Sequence, residues 1–309
     1  MKNIFIFISC LITGLAFTSC DNSILEATNQ STVEVKKDSY VSFLTSLDSL
    51  NNNYNIVQNE QRGINFKKWT GKAFSAIIDY SVGTVASGAT SPFGGAVIGT
   101  CASWLYDEYW EKVACKHFRG TQQKSAPTLT AGPSIVFNES PDASFIDSIG
   151  YYHNLVLAEL DSLNVSGIDE NNNIDYEGLF VIVQNLLANH GHNCPEINSE
   201  IKYLCFSYAD REIKSLNPNE FENWTIDYNV LNTTEYLPLN IKEEQIVLLN
   251  EVGNSLYNAV VSMSDSNIIS YGKDLYGIIE NSKLERNEKD ELHVLNNIAI
   301  NSTLHWSSE

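Results

Sequence analysis

The run His190-Gly-His192-Asn-Cys194 holds the side chains whose types best fit metal chemistry. Two imidazoles and a thiolate are ligands that Zn²⁺ accepts, and Glu196 or Cys205 could complete a tetrahedral set. The spacing matches no standard zinc pattern, however, and the intervening Gly and Asn are typical of a helix end followed by a turn. Histidine near a helix C-terminus also interacts favourably with the helix dipole. We therefore favour a helix end over a metal site, and the sequence predicts no cofactor.

A second run, residues 169–177, has the oxygen density of a calcium loop. The EF-hand pattern requires Gly at its sixth position and Glu at its twelfth. Counted from Asp169, those positions hold Ile174 and Phe180. We therefore predict a turn between two helices, with Asp175 as the N-cap of the second helix.

Residues that could carry catalysis lack a recognisable arrangement. There is no Gly-x-Ser-x-Gly elbow, no His-Glu-x-x-His motif and no phosphate-binding loop. Asp147 and His153 lie on different faces of one helix, and no third group accompanies Cys115 and His117. A hydrolase centred on His153, or on the turn at 190–192, is therefore the least favoured function class, and we assign no catalytic residue.

The first twenty residues predict export and lipid attachment. Lys2 precedes the apolar run Ile4–Phe17, which is shorter than the roughly twenty residues of a membrane span and fits a signal peptide. The following Thr18-Ser19-Cys20 resembles the lipobox of bacterial lipoproteins, in which the cysteine is acylated and becomes the mature N-terminus. Phe17 stands where that pattern usually has Leu. The alternative is an ordinary secretory signal that is cleaved nearby.

These features predict how the chain is organised. Residues 1–19 form a lipoprotein signal peptide, and residues 20–34 form a flexible tether. A helical part with a Gly-rich hairpin follows over 35–125, and a second helical part covers 126–309. The Pro-rich stretch at 125–141 is the favoured internal boundary. We expect the protein in the cell envelope, anchored by lipid to the outer membrane and facing the periplasm or the surface.

The charge balance restricts the partners. The chain has 19 basic and 38 acidic residues, a net charge of −19. Such a protein repels nucleic-acid phosphates and also anionic lipid headgroups. Nucleic acid is therefore excluded as a partner, and the lipid at Cys20 has to supply the membrane attachment. An unknown envelope protein or ligand is the remaining partner.

Four cysteines follow Cys20. Exported proteins meet oxidising conditions, so disulfides are plausible. In one continuous helix Cys101 and Cys115 would lie about 21 Å apart, which excludes that pairing. A bridge between Cys194 and Cys205, or between one of them and Cys115, stays open, and Cys101 fits a buried thiol.

The apolar period is mostly helical, and no strand-period run of any length is present. We predict a mainly α protein with irregular Pro- and Asn-rich connections. The predicted helices cover about 40–50, 73–111 with a break at Ser91-Pro92, 142–163, 175–188, 195–208, 240–263, 268–282 and 288–304.

The segment from Ala73 to Glu111 is the most unusual part of the sequence. It contains no Asp, Glu, Lys or Arg between Asp79 and Asp107. Small residues recur at a spacing of four, which places them on one helix face where two backbones can approach closely. They are Gly83 and Ser87 before the break at Ser91-Pro92, and Gly95, Gly99 and Ser103 after it. The pattern predicts a tightly packed helical hairpin.

Three interpretations of this hairpin stay open. It packs in the core of a soluble domain, it meets a partner protein, or it inserts into a membrane as glycine-zipper pore formers do. The run is rich in Gly, Ser and Thr, so that its transfer into lipid would gain little free energy. An all-round apolar helix in a chain of this length is usually buried, and we favour the core.

The run Gly150-Tyr-Tyr-His153-Asn154-Leu-Val-Leu157 resembles a G-x-x-H-N-x-x-L element of uncharacterised bacterial lipoproteins and secreted proteins. Those proteins have an Ala/Gly-rich hairpin before this element and end in a pattern similar to the one from Ile279 to Trp306 here. The resemblance covers most of residues 70–306 and implies no activity. His153 and Asn154 early in a helix favour a structural polar pair that ties the helix to a neighbouring loop.

Together these observations predict an envelope-anchored lipoprotein with a binding or structural role. The alternative is a membrane-active antagonist, comparable to a bacteriocin, that acts through the 73–111 hairpin.

Overall fold

The computed structural model describes residues 25–56, 72–109, 134–140, 143–170, 173–215 and 243–307. Within these ranges the fold consists of nine α-helices, and the β pairing consists of one isolated bridge between Ile168 and Ile174. The mainly α class is confirmed. The signal peptide, Cys20, Cys115 and His117 lie outside the described residues. The helices are α1 (Leu25–Asn53), α2 (Lys72–Ala89), α3 (Pro92–Tyr109), α4 (Phe145–Ser162), α5 (Tyr176–Asn189), α6 (Ser199–Ser215), α7 (Glu243–Ser262), α8 (Asp265–Asn281) and α9 (Arg286–Ser307).

Several helix ends lie where the sequence predicts them. The Asn run ends α1 at Asn53, and α3 begins at Pro92, whose fixed φ suits the first helical position. Asp175 caps α5, since its carboxylate accepts a hydrogen bond from the backbone N–H of Gly178 at 2.9 Å. The turn predicted there, instead of a calcium loop, is present. The predicted start of a helix at Asn240 lies outside the described residues.

The first helix is longer than the sequence analysis predicts. Helix α1 begins at Leu25, so that residues 25–34 of the predicted flexible tether are helical. This part of the chain contains Leu, Glu, Ala and Val and no Gly or Pro, so nothing in it stops the helix that follows. Lys36 and Tyr40 fix α1 to the start of α9, where both bond to the buried carboxylate of Glu288.

The predicted hairpin is formed by α2 and α3, and its small residues lie at the contact. A Cβ added at Gly99 would lie 3.1 Å from the Cα of Gly83, and one added at Gly95 would clash with the Ser87 hydroxyl and lie 2.5 Å from the Gly83 carbonyl oxygen. The two backbones therefore touch without intervening side chains. The other predicted packing residue, Ser103, is fully buried on α3.

The last helix lies at the centre of the fold. Helix α9 packs against α2, α3, α4, α7 and α8, and α3 packs against α4, α5 and α6. Helices from both sides of the predicted boundary at 125–126 therefore share one hydrophobic core. Residues Gly94 to Tyr106 of α3 are all buried, so that the hairpin belongs to this core. Among the described helices, none is long and apolar enough to cross a membrane.

We expect Gly95→Ala to lower the free energy of unfolding by about 1–3 kcal/mol or more, because the new methyl group must push α2 and α3 apart. The matched control is Gly277→Ala in α8, where an added Cβ meets no atom within 4 Å. That change should raise stability by up to about 1 kcal/mol through helix propensity. Urea unfolding measures both, and equal effects would contradict the close backbone contact.

Candidate functional site

The hairpin positions one buried carboxylate in the middle of the core. Asp79 lies one helical turn before Gly83 on α2, and its side chain is fully buried. Gly83 faces Gly99 and Ser87 faces Gly95, so the same antiparallel register places Asp79 opposite Ser103. A carboxylate at this depth loses its hydration and needs close polar partners.

Helices α4 and α9 supply those partners, and α3 adds a hydroxyl beside the imidazole. Together these side chains form what we call the buried polar cluster: Asp79, Thr100, His153 and Ser302. His153 on α4 places Nε2 3.2 Å from Asp79 Oδ2, and its side chain is also fully buried. Ser302 on α9 donates its hydroxyl to the same carboxylate oxygen. Thr100 on α3 lies 3.0 Å from His153 Nδ1. The cluster therefore joins α2, α3, α4 and α9 at one point.

The Thr100 hydroxyl lies within hydrogen-bond distance of two polar atoms. It is 2.8 Å from the carbonyl oxygen of Ala96, one turn earlier on α3, and 3.0 Å from Nδ1 of His153. A hydroxyl has one proton to donate, so the tautomer of His153 determines which of these contacts Thr100 donates to.

The order carboxylate–imidazole–hydroxyl is also that of a hydrolytic triad. In such a triad the hydroxyl proton is passed to the imidazole, and the hydroxyl faces the substrate. Here the Thr100 hydroxyl is also within bonding distance of the Ala96 carbonyl oxygen on its own helix, and all four side chains of the buried polar cluster are buried away from solvent. The arrangement therefore joins helices and is not set up to attack a substrate.

Two further ionisable side chains border the buried polar cluster. His305 lies one turn after Ser302 on α9, and burial, together with the positive charge of His153, lowers its pKa to about 4. The negative charge of Asp79 opposes that shift only in part. Burial also raises the pKa of Tyr106 on α3, and the nearby charges of Asp107 and Asp79 add to the shift. Both side chains are therefore neutral at pH 7.

Asn154 does what the sequence analysis expects of the pair His153-Asn154. Its side-chain amide donates to the hydroxyl of Ser134, in the segment before α4, at 3.1 Å and to the Asn301 carbonyl oxygen at 2.9 Å. Asn301 in turn pairs with the backbone N–H and C=O of Ile135. His153, by contrast, bonds to helices and not to a loop. The predicted structural role is present, but the two side chains have different partners.

The side chains in the run from His190 to Cys194 contact separate partners. His190 is the C-cap of α5, and its Nε2 lies 2.9 Å from a carboxylate oxygen of Glu159. The His192 ring packs between Phe145 and Tyr152 at centroid distances of 4.4 and 4.3 Å. Across the described part of the chain, no three His, Cys, Asp or Glu side chains converge as metal ligands would.

The possible bridge between Cys194 and Cys205 is not formed, since both are free thiols, as is Cys101. Cys205 faces the core from α6, whereas Cys194 lies in the preceding loop and bonds to Gln184 of α5. Burial raises the pKa of Cys205 to about 12 and also raises that of Cys101. These thiols are therefore protonated and poor nucleophiles at pH 7.

The sequence analysis found His153 but missed Asp79, Thr100, Ser302 and His305. One signal could have identified Asp79. It precedes Gly83 and Ser87 at the same spacing of four, so that the carboxylate at the start of the charge-free run lies on the contact face of α2. No local sequence pattern identifies Ser302 or His305. The partner of Ser302 is more than two hundred residues away in the sequence, and the charges that act on His305 lie on other helices.

Comparisons with protein-family models, with curated proteins and with solved structures found no match for this chain.

Asp79→Ala should lower the free energy of unfolding by about 3–5 kcal/mol, because it leaves His153 and Ser302 buried without their acceptor. The control is Asp290→Ala on α9, whose partner Arg286 is 81% exposed in its side chain. Removing that surface pair should cost no more than about 0.5 kcal/mol. If urea unfolding gives similar losses for the two variants, the buried polar cluster does not have the structural importance assigned to it.

His305 predicts acid sensitivity. A histidine whose pKa is about 4 in the folded state and about 6.5 in the unfolded state binds protons first when unfolded, so that stability falls as pH drops from 6.5 toward 4. The pKa of Glu291, raised to about 7 mainly by burial, acts in the opposite direction between pH 7 and 4.5. We therefore compare wild type with His305→Gln at each pH. The unfolding free energy of His305→Gln minus that of wild type should increase as pH falls from 6.5 toward 4, because only wild type loses stability through this group. A difference that stays constant with pH would contradict the prediction.

Proposed function

We propose that this protein is an envelope-anchored lipoprotein with a binding or structural role, attached to the outer membrane through acylated Cys20. The support for attachment comes from the sequence, in which the apolar run Ile4–Phe17 leads to Thr18-Ser19-Cys20. With a net charge of −19, the folded part gains nothing from anionic lipid, so the lipid chain has to provide the anchoring.

The single observation that favours binding or structure over catalysis is where the reactive side chains lie. The carboxylate, imidazole and hydroxyls of the buried polar cluster contact one another between helices. Burial raises the pKa of the Cys101, Cys194 and Cys205 thiols, which keeps them protonated at pH 7. A catalytic carboxylate, imidazole or thiol has to be accessible to a substrate. In a rigid scaffold, the same groups can be buried and join helices by hydrogen bonds.

Cys20→Ser should move the protein from the membrane fraction to the soluble fraction and abolish labelling with radioactive palmitate. Cys10→Ser is the matched control, because Cys10 lies within the predicted signal peptide and is removed with it. That variant should remain membrane-bound and labelled. Retention of Cys20→Ser in the membrane would overturn the anchoring proposal.

The alternative function is a membrane-active antagonist that uses the 73–111 hairpin. Its support is the lack of charge between Asp79 and Asp107. Against it, α3 is buried from Gly94 to Tyr106, so that insertion would require the core to open. Release of a dye from liposomes by the purified protein at micromolar concentration would favour this alternative, and we expect none at pH 7.

A further inference from the structure

Three buried polar atoms on α2 and α3 have no hydrogen-bond partner in the described part of the chain. They are Asp79 Oδ1, Ser103 Oγ and Tyr106 Oη. Asp79 and Ser103 are completely buried, and Tyr106 is 1% exposed. A polar atom that loses its hydration on folding is nearly always bonded again, either to protein or to an ordered water molecule. These three atoms therefore indicate a place where the protein binds water.

The three atoms belong to one part of the contact between α2 and α3. The register of the hairpin, in which Gly83 faces Gly99, places Asp79 opposite Ser103 one turn further along. Tyr106 follows Ser103 by three residues on the same face of α3, and a long helical side chain extends back over the preceding turn. Burial raises the pKa of Tyr106, and the negative charge of Asp79 contributes to the shift, as expected for a phenol near the carboxylate.

The bonds that Asp79 makes leave one of its oxygen atoms without a donor. Oδ2 accepts the hydroxyl proton of Ser302 and lies 3.2 Å from Nε2 of His153. These contacts join the carboxylate to α9 and α4, and neither of them reaches α3. A polar link from Asp79 to the other helix of its own hairpin therefore has to come through Oδ1.

The chemistry of the three atoms fits water better than a divalent metal ion. A buried water makes about three hydrogen bonds. Here it can donate to the carboxylate oxygen, and each hydroxyl can either donate to it or accept from it. Ca²⁺ and Mg²⁺ take about six or more oxygen ligands, which is roughly twice the number at this place.

We propose that one water molecule binds between α2 and α3, donates a hydrogen bond to Asp79 Oδ1 and bonds to the hydroxyls of Ser103 and Tyr106. This water joins the carboxylate on α2 to two side chains on α3. It thus adds a polar link to a hairpin whose close approach is otherwise made by glycine backbones. The inference does not depend on the proposed function.

A crystal structure of the full-length protein in detergent, at a resolution that shows ordered waters, tests the proposal directly. We expect a density peak about 2.7–3.2 Å from all three oxygen atoms. A direct hydrogen bond between Tyr106 and Asp79, or no density between these side chains, would overturn the proposal. A peak with about six oxygen ligands at roughly 2.0–2.6 Å would be a metal ion and would overturn it as well.

A double-mutant cycle tests the same water in solution. Ser103→Ala and Tyr106→Phe each remove one partner of the water, so the second substitution should cost less once the first has weakened the site. In urea unfolding, the loss in the folding equilibrium constant of the double variant should be at least about twofold smaller than the product of the two single losses.

The matched control combines Ser87→Ala with Tyr106→Phe. Ser87 is also buried without a hydrogen-bond partner, but it lies eight residues, or about 12 Å, from Asp79 along α2. The losses of this second pair should simply multiply. Independent losses for Ser103 and Tyr106, or equal coupling in both pairs, would contradict a shared water. If Tyr106→Phe does not fold, the crystal structure of the wild type decides.

Discussion

The structure depends on the pairing of Asp79 with His153, whose side chains are both fully buried. An unpaired charge in such a place would cost several kcal/mol, and the fold offsets that cost by bringing an imidazole from α4 and a hydroxyl from α9 to one carboxylate on α2. The cost of leaving any of these groups unpaired makes their positions interdependent. Four helices are thereby fixed relative to one another by the geometry of a few bonds.

Close backbone packing makes this pairing achievable. Because Gly83 and Gly99 have no side chains, α2 and α3 approach until their backbones touch, and Asp79 and Thr100 then lie near the same imidazole. A similar approach occurs where Gly150 of α4 meets the backbone carbonyl of Asn297 on α9. The glycines thus allow the short distances between helix backbones, and these distances bring the polar side chains within hydrogen-bond reach of one another. The Gly-rich hairpin has a packing role that its lack of charge alone would not reveal.

The polar interior also bears on what kind of protein this is. Polar side chains in the interior mostly bond to other parts of the fold. Asn154 bonds to Ser134, and Asn301 bonds to the backbone of Ile135. Glu288 accepts hydrogen bonds from Lys36 and Tyr40. Such bonds are directional, so each one restricts how its two helices can lie against each other. We propose a scaffold held at a membrane surface by a lipid, because the polar side chains of the interior serve to position helices.

By itself the sequence determined the helical class, most helix ends, the small-residue face of the hairpin and the cap at Asp175, because each follows from local periodicity or from side-chain–backbone bonds within a few residues. It also predicts a signal peptide and a lipobox-like Cys20, since both predictions use only the local pattern of residues. The free thiols of Cys194 and Cys205 and the buried polar cluster were decided only by the tertiary structure. Asp79, His153 and Ser302 are far apart in the chain, and only the packing of α2, α4 and α9 gives each of them the partner without which it could not be buried.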